Sequence, residues 1–179
     1  MKFNPADMYV TSDHHFGSWK HNPCPWRPPV FPQEEEEELI AKWNSVVKPT
    51  DFVIHVGDFC DGGVSDLMAY RKRLNGSVLL VKGNHDVLPD EVYKAVFQSV
   101  CEVLVIEELN VMFQHCPSTE APSSFRRVVG HFHDGCMPDF LNDGRSFCSC
   151  VMLHGGYPVP LEKIIGALMQ RFQMANKSH

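Results

Sequence analysis

Five short segments carry side chains able to bind cations and move protons. They are Asp13-x-His15, Gly57-Asp58, Gly83-Asn84-His85-Asp86, His115, and Gly130-His131-Phe132-His133. Together they offer carboxylate, imidazole and amide groups, and no thiolate. Nitrogen and oxygen donors of this kind suit manganese, iron, zinc or nickel. On extended backbone, residues two apart point to the same side. Asp13 and His15 can therefore share one cavity, and so can His131 and His133. Each piece alone has an ordinary reading. Gly-Asp and Gly-Asn-His-Asp are good turn sequences, and His115 beside Cys116 and Pro117 can be a plain loop residue. All five in one order, each after a strand-like run, point instead to a metal centre.

The elements that must position these residues can be read around them. Met8-Tyr9-Val10-Thr11 reads as a strand running into Ser12-Asp13-His14-His15. Phe52 to Gly57 is a buried-strand pattern ending at Asp58, and Val78 to Val81 is another ending at Gly83. Between them, Leu39, Ile40, Trp43, Val46 and Val47 fall at helical spacing. The acidic run Glu34 to Glu38 opens that helix, where carboxylates suit the positive end of the dipole, and is expected to be solvated. Further helices are expected near Asp66 to Leu74, along the stripe Val92, Tyr93, Val96, Phe97 and Val100, and from Leu161 to Ala175. Val103 to Ile106, Val111 to Phe113, Val128-Val129 and Phe147 to Met152 read as strands. Strand-helix-strand units give parallel strands with right-handed crossovers. Ligands of such sheets sit beyond the carboxyl ends of the strands, where Asp13, His15, Asp58, Asn84 and His85 all fall.

The 179 residues are 44% hydrophobic and 11% aromatic, which suits one compact domain over 1–179. The net charge of −6 disfavours duplex nucleic acid, whose binders carry a basic face. Arg71-Lys72-Arg73 and Arg126-Arg127 are read as solvated. No apolar run reaches the ~20 residues that span a bilayer, and Met1 to Tyr9 lacks a signal-peptide stretch, so a cytoplasmic location is expected. The seven cysteines are odd in number and scattered, and reduced thiols are the default there.

On the five motifs the sequence resembles the calcineurin-like metallophosphoesterases, whose signature is D-x-H, G-D, G-N-H-[DE], H and G-H-x-H. Arg27-Pro28-Pro29-Val30-Phe31 before the helix and Trp43-Asn44 near its end resemble the small bacterial and phage-type subgroup. The resemblance implies an α/β fold, a four-layer α-β-β-α sandwich with two mixed sheets flanked by helices and no separate cap domain. It implies two divalent metal ions (Mn, Fe, Zn or Ni, with Mn favoured). Asp13, His15 and His133 would hold the first, and Asn84, His115 and His131 the second. Asp58 would bridge them together with a hydroxide, His85 would be the general acid, and Asp86 would orient His85.

The implied activity is metal-dependent hydrolysis of a small phosphoester, with phosphodiesters favoured. A phosphomonoesterase, including a protein phosphatase, on the same site is the alternative. A protein-binding scaffold on the same fold is the rival from another class. The sequence leaves monomer and homodimer open. It departs from the family's pattern at Gln114-His115-Cys116 and at Cys148-Ser149-Cys150-Val151-Met152. His14 is read as either mouth-lining or packed behind the ligands, His55 as a core histidine, and His21 and His154 as ordinary.

Overall fold

A computed structural model describes residues 5–21, 31–117 and 125–175. Trp26, Arg27 and most of the proline-rich run lie outside the described residues. The first half alternates strands and helices: β1 (Met8–Thr11), α1 (Ser18–His21), α2 (Gln33–Val46), β2 (Phe52–His55), α3 (Val64–Arg73), β3 (Ser77–Val81), α4 (Asp90–Val96) and β4 (Ser99–Cys101). The second half holds β5 (Val103–Ile106), β6 (Val111–Gln114), β7 (Arg126–Val129), β8 (Ser146–Cys148), β9 (Val159–Pro160) and α5 (Leu161–Ala175).

Two mixed sheets result, flanked by helices. The first has the order β4-β3-β2-β1-β9 and the second β5-β6-β7-β8. In the first, β1 to β4 are parallel and β9 is antiparallel to β1. In the second, only β5 runs antiparallel to its neighbour.

The strands of the first sheet are apolar on both faces because both are covered. Val53, Val78 and Leu80 face α2, α3 and α4, among Trp43, Leu67 and Tyr93. Val10, Ile54, Val56 and Val81 face the second sheet's Ile106, Val111, Phe113 and Val128, joined by Leu161, Ile164 and Leu168 of α5. Among the described residues, the 3-10 turn Asp139–Leu141 packs over β7 and β8 on the second sheet's outer side, with Leu141 against Val129 and Cys148. Among the described residues no helix is long and apolar enough to cross a membrane.

The structure corrects four expectations. The stripe from Val92 to Val100 is not one helix: α4 ends at Val96, and Phe97 turns extended so that the Gln98 amide donates to Val78 in the sheet (2.8 Å). The strand expected from Phe147 to Met152 stops at Cys148, because Cys150 leaves the second sheet to bridge Ser12 of the first. Arg127 is buried rather than solvated, held by Ser146 Oγ, the Phe140 carbonyl and Asp143. Glu36, from the acidic run, is 1% exposed. It accepts from the Gly17 amide (2.7 Å), Trp19 Nε1 (3.0 Å) and the Tyr70 hydroxyl (2.6 Å). Burial raises its pKa against those bonds.

Candidate metal centre

Because β1, β2 and β3 are parallel, their carboxyl ends lie side by side, and the loops that follow are zipped together. The amides of Asp13, His15 and Phe16 donate to the carbonyls of Gly57, Asp58 and Phe59, each at 3.0 Å. The second sheet closes on them from β6 and β7. His115 follows β6, and His131 and His133 follow β7. The His131 amide donates to Asp13 Oδ1 (3.0 Å), tying the two sheets' loops directly.

Four of these residues have left-handed backbone: Asp13 (φ 61°), His15 (45°), Asp58 (55°) and His131 (71°). Such conformations cost non-glycine residues free energy and persist where surrounding structure over-determines them. Two motif glycines show the same crowding. A Cβ on Gly83 would stand 2.6 Å from the Asp58 amide nitrogen, and one on Gly130 would stand 2.6 Å from His115 Nδ1. Glycine is required there because ligand-bearing loops touch backbone to side chain.

The seven side chains expected to hold metal converge. Asp13, His15 and His133 place ligand atoms within 4.8 Å of one another, and so do Asp58, His115 and His131. Asn84 Oδ1 lies 3.1 Å from both His115 Nε2 and His131 Nδ1. Asp58 Oδ2 stands between the groups, 3.5 Å from His15 Nε2 and 3.1 Å from His115 Nε2. The His115 ring is aimed by its far side: Nδ1 donates to the Val56 carbonyl (2.7 Å), leaving Nε2 for the site.

These donors fit a cation pair. His15 Nε2 is buried and has no hydrogen-bond partner among the described residues, although His15 Nδ1 is paired with Asp61 (2.9 Å). A buried, unpaired ring nitrogen facing carboxylates is costly unless something else binds it.

The electrostatics are those of a crowded, buried site. Burial works against the Asp58 carboxylate, but His115 beside it holds the group below its ordinary range. Burial likewise opposes charge on His115, and Asp58 nevertheless lifts it to about 9. His133 is lowered, first by burial.

His85 is half-exposed beside this cluster, its ring 4.6 Å from that of His15. Here the structure corrects the expected orienting partner. His85 Nδ1 pairs with Asp61 Oδ1 (3.0 Å), not with Asp86. Asp86 instead accepts from the amides of Asp58 (2.8 Å), Phe59 (3.1 Å) and Gly83 (2.8 Å), and so laces the loops after β2 and β3. Burial raises Asp86 to about 6 against those bonds. Burial also opposes charge on Asp61, yet the His15 and His85 imidazoles hold it far below the usual carboxylate range. Asp61 in turn raises His85 above 6.5.

Asp61 is the functional residue that the sequence reading missed. Its signal was a second carboxylate three positions after Asp58 in the same strand-end loop.

Of the other histidines, His14 does not line the mouth. It is fully buried, with Nδ1 3.0 Å from His55 Nε2. His154 lies 2.8 Å from the Cys148 carbonyl and stacks on Phe147. Cys116, beside His115, is exposed.

Fold and site thus define an α/β protein with donors for two cations where two mixed sheets meet. The family profile of the calcineurin-like phosphoesterases matches residues 8–172, and the chain belongs to that family of metal-dependent phosphoester hydrolases. An uncharacterized protein of Methanocaldococcus jannaschii, MJ1445, is 27% identical over 168 residues, covering 88% of this chain and 89% of its own. The crystal structure of AQ665, a protein of unknown function from Aquifex aeolicus, superposes with a TM-score of 0.64 at 23% identity. That match covers 88% of this chain and 96% of the other.

Proposed function

We propose that this protein is a dinuclear metal-dependent phosphodiesterase. Asp13, His15 and His133 would hold one cation and Asn84, His115 and His131 the other, with Asp58 placed to serve both. The observation that carries this is Asp58 Oδ2 lying within 3.5 Å of ring nitrogens from both groups, with His85 at their border. Two divalent cations, when bound, supply Lewis acidity to the phosphoryl oxygens and ionise water near neutral pH.

The chain's own residues do the rest. Asp13 and Asp58 bring negative charge that offsets the cations. His115 is fixed by Val56 so that its Nε2 lone pair points inward. His85, with Nδ1 on Asp61, keeps Nε2 for the leaving oxygen, to which it gives a proton. An alkoxide leaves poorly without that proton, so this histidine matters most for alcohol-type leaving groups. The diester preference rests on openness, since His85 and His131 are both exposed and leave room for a second ester arm.

Hydrolysis of bis-p-nitrophenyl phosphate by protein loaded with manganese or nickel is the direct test. Turnover that follows metal content is expected. Folded, metal-loaded protein that cleaves no phosphodiester would defeat the reading.

A further inference from the structure

His85 shares a cavity of about 260 Å³ with Asp61, Asn84, His21 and Val87. The last two belong to no metal-binding segment. With His85 Nδ1 committed to Asp61, its Nε2 is the atom that can meet a leaving oxygen. The rest of the leaving group must then fill space bordered by His85, and this cavity is that space.

His21 is held there by unusual means. It ends α1, a helix of four residues, too short to be stable by itself. Two carboxylates from neighbouring helices fix it. Glu36 of α2 takes the Gly17 amide and Trp19 Nε1. Asp66 of α3 takes Lys20 Nζ (3.2 Å) on one oxygen and His21 Nε2 (3.0 Å) on the other. Lys20 already anchors the turn to Asp66, so the His21 contact aims a ring rather than merely tying a loop. With Nε2 on Asp66, Nδ1 is the ring nitrogen left to meet a ligand. Val87, next in chain after the Gly83–Asp86 motif, is 81% exposed, the most exposed large apolar side chain among the described residues.

We infer that His21 is a specificity-determining residue on the leaving-group side of the site, with Val87 as an apolar wall of the same subsite. This rests on the phosphoesterase reading above. The cavity lies below the ~300–1,000 Å³ of pockets that enclose drug-sized ligands. It therefore takes one ring: an alcohol or phenol with an apolar face for Val87 and a hydrogen-bonding substituent for His21 Nδ1.

An unsymmetrical diaryl phosphate tests this within one molecule. One arm is p-nitrophenol, and the other is the same phenol with a hydroxymethyl group beside the nitro group. Water adds at phosphorus, one P–O bond breaks, and the departing phenol takes a proton. The ratio of the two phenols, read by chromatography, does not depend on how much enzyme is folded or loaded with manganese. Wild type is expected to expel the hydroxymethyl arm preferentially. His21→Ala should lower that preference about fivefold, the worth of one ordinary hydrogen bond, while Lys20→Ala, which keeps the His21 bond to Asp66, should lower it less. An even ratio in wild type, or one that His21→Ala does not move, overturns the subsite. So does an equal shift with Lys20→Ala, which would make α1 a structural anchor only. No cleavage of either arm by metal-loaded wild type overturns the phosphoesterase reading itself, and this inference with it.

Discussion

Asp61 Oδ1 lies 3.0 Å from His85 Nδ1, and the same oxygen is 2.9 Å from His15 Nδ1. One carboxylate thus fixes both an expected metal ligand and the expected general acid. Burial disfavours its charge, and the two imidazoles more than compensate.

From this follows a pH effect with a definite sign. Asp61 raises His85 above 6.5, so the proton-donating form persists to higher pH, and turnover should fall as pH rises through that pKa. Asp61→Asn removes the charge and should move the alkaline limb of kcat/KM to lower pH. A nucleoside or alkyl leaving group should lose on the order of 10²-fold, the usual worth of a general acid, and p-nitrophenol much less. Profiles are to be compared at matched metal content, because Asp61 also holds His15. Equal losses for both leaving groups with an unmoved limb would remove His85 from the acid role.

Asp58 stands between the two ligand groups, 3.5 Å from His15 Nε2 and 3.1 Å from His115 Nε2. A ligand common to two cations should be needed by both. Asp58→Ala is expected to lose both ions in elemental analysis and to lose turnover. Metal that binds only the folded state stabilises it, by about 2.7 kcal/mol at a hundredfold excess over Kd. Wild type should therefore gain melting temperature when manganese is added after chelation, and Asp58→Ala should not. Two full-occupancy ions in the variant would deny the bridging role.

Much of this site was legible because parallel strands deliver their ends to one place. Asp13, Asp58 and Asn84 needed only three strand-like runs to be placed together. His115, His131 and His133 came from a second sheet whose order cannot be read from periodicity, and their placement rested on the family's motif order. Asp61 and Asp86 show the limit. Asp86 adjoins His85 in sequence, whereas Asp61 lies 24 residues away, and adjacency favours Asp86. The choice was settled by backbone geometry, since three amides of the loops around Asp86 converge on its oxygens. Glu36 failed similarly. Five consecutive acids suggest a solvated helix start, and only the fold shows that one of them meets the Tyr70 hydroxyl and the Gly17 amide.

His14 and His55 make a buried pair whose stability cost depends on pH. Each neutral ring carries one proton, and the contact between Nδ1 of His14 and Nε2 of His55 uses one. His14 Nε2 and His55 Nδ1 have no partner among the described residues, so one N–H is left unpaired at a cost of about 1–3 kcal/mol. Burial lowers His14 from 6.5 to about 3 and takes His55 well below 6.5. The folded state thus refuses protons that the unfolded chain binds below 6.5. Stability is full above that value and declines as pH falls. For metal-free protein, urea unfolding should lose about 3 kcal/mol more between about pH 7.5 and about pH 5.5 than the double variant His14→Phe, His55→Leu loses. Parallel losses in the two proteins would place the acid sensitivity in other groups.

Gly83 puts packing and chemistry on one atom. Its Cα faces the loop after β2 so closely that an added methyl group would stand 2.6 Å from the Asp58 amide nitrogen and 2.9 Å from its carboxylate carbon. The Asp58 backbone cannot retreat, because its amide is bonded to Asp86 and its carbonyl takes the His15 amide. Asp58 is also already in the left-handed region. Gly83→Ala should therefore push the Asp58 carboxylate out of register with both ligand groups. The expected cost is about 1–3 kcal/mol in stability, as for overpacking elsewhere, with a loss of bound metal larger than that destabilisation explains. Chelator competition separates the two effects. Gly63→Ala is the control, since nothing lies within 4 Å of a Cβ there, and it should bind metal as wild type does. If Gly83→Ala also kept wild-type metal affinity, close approach at this loop would have no part in building the site.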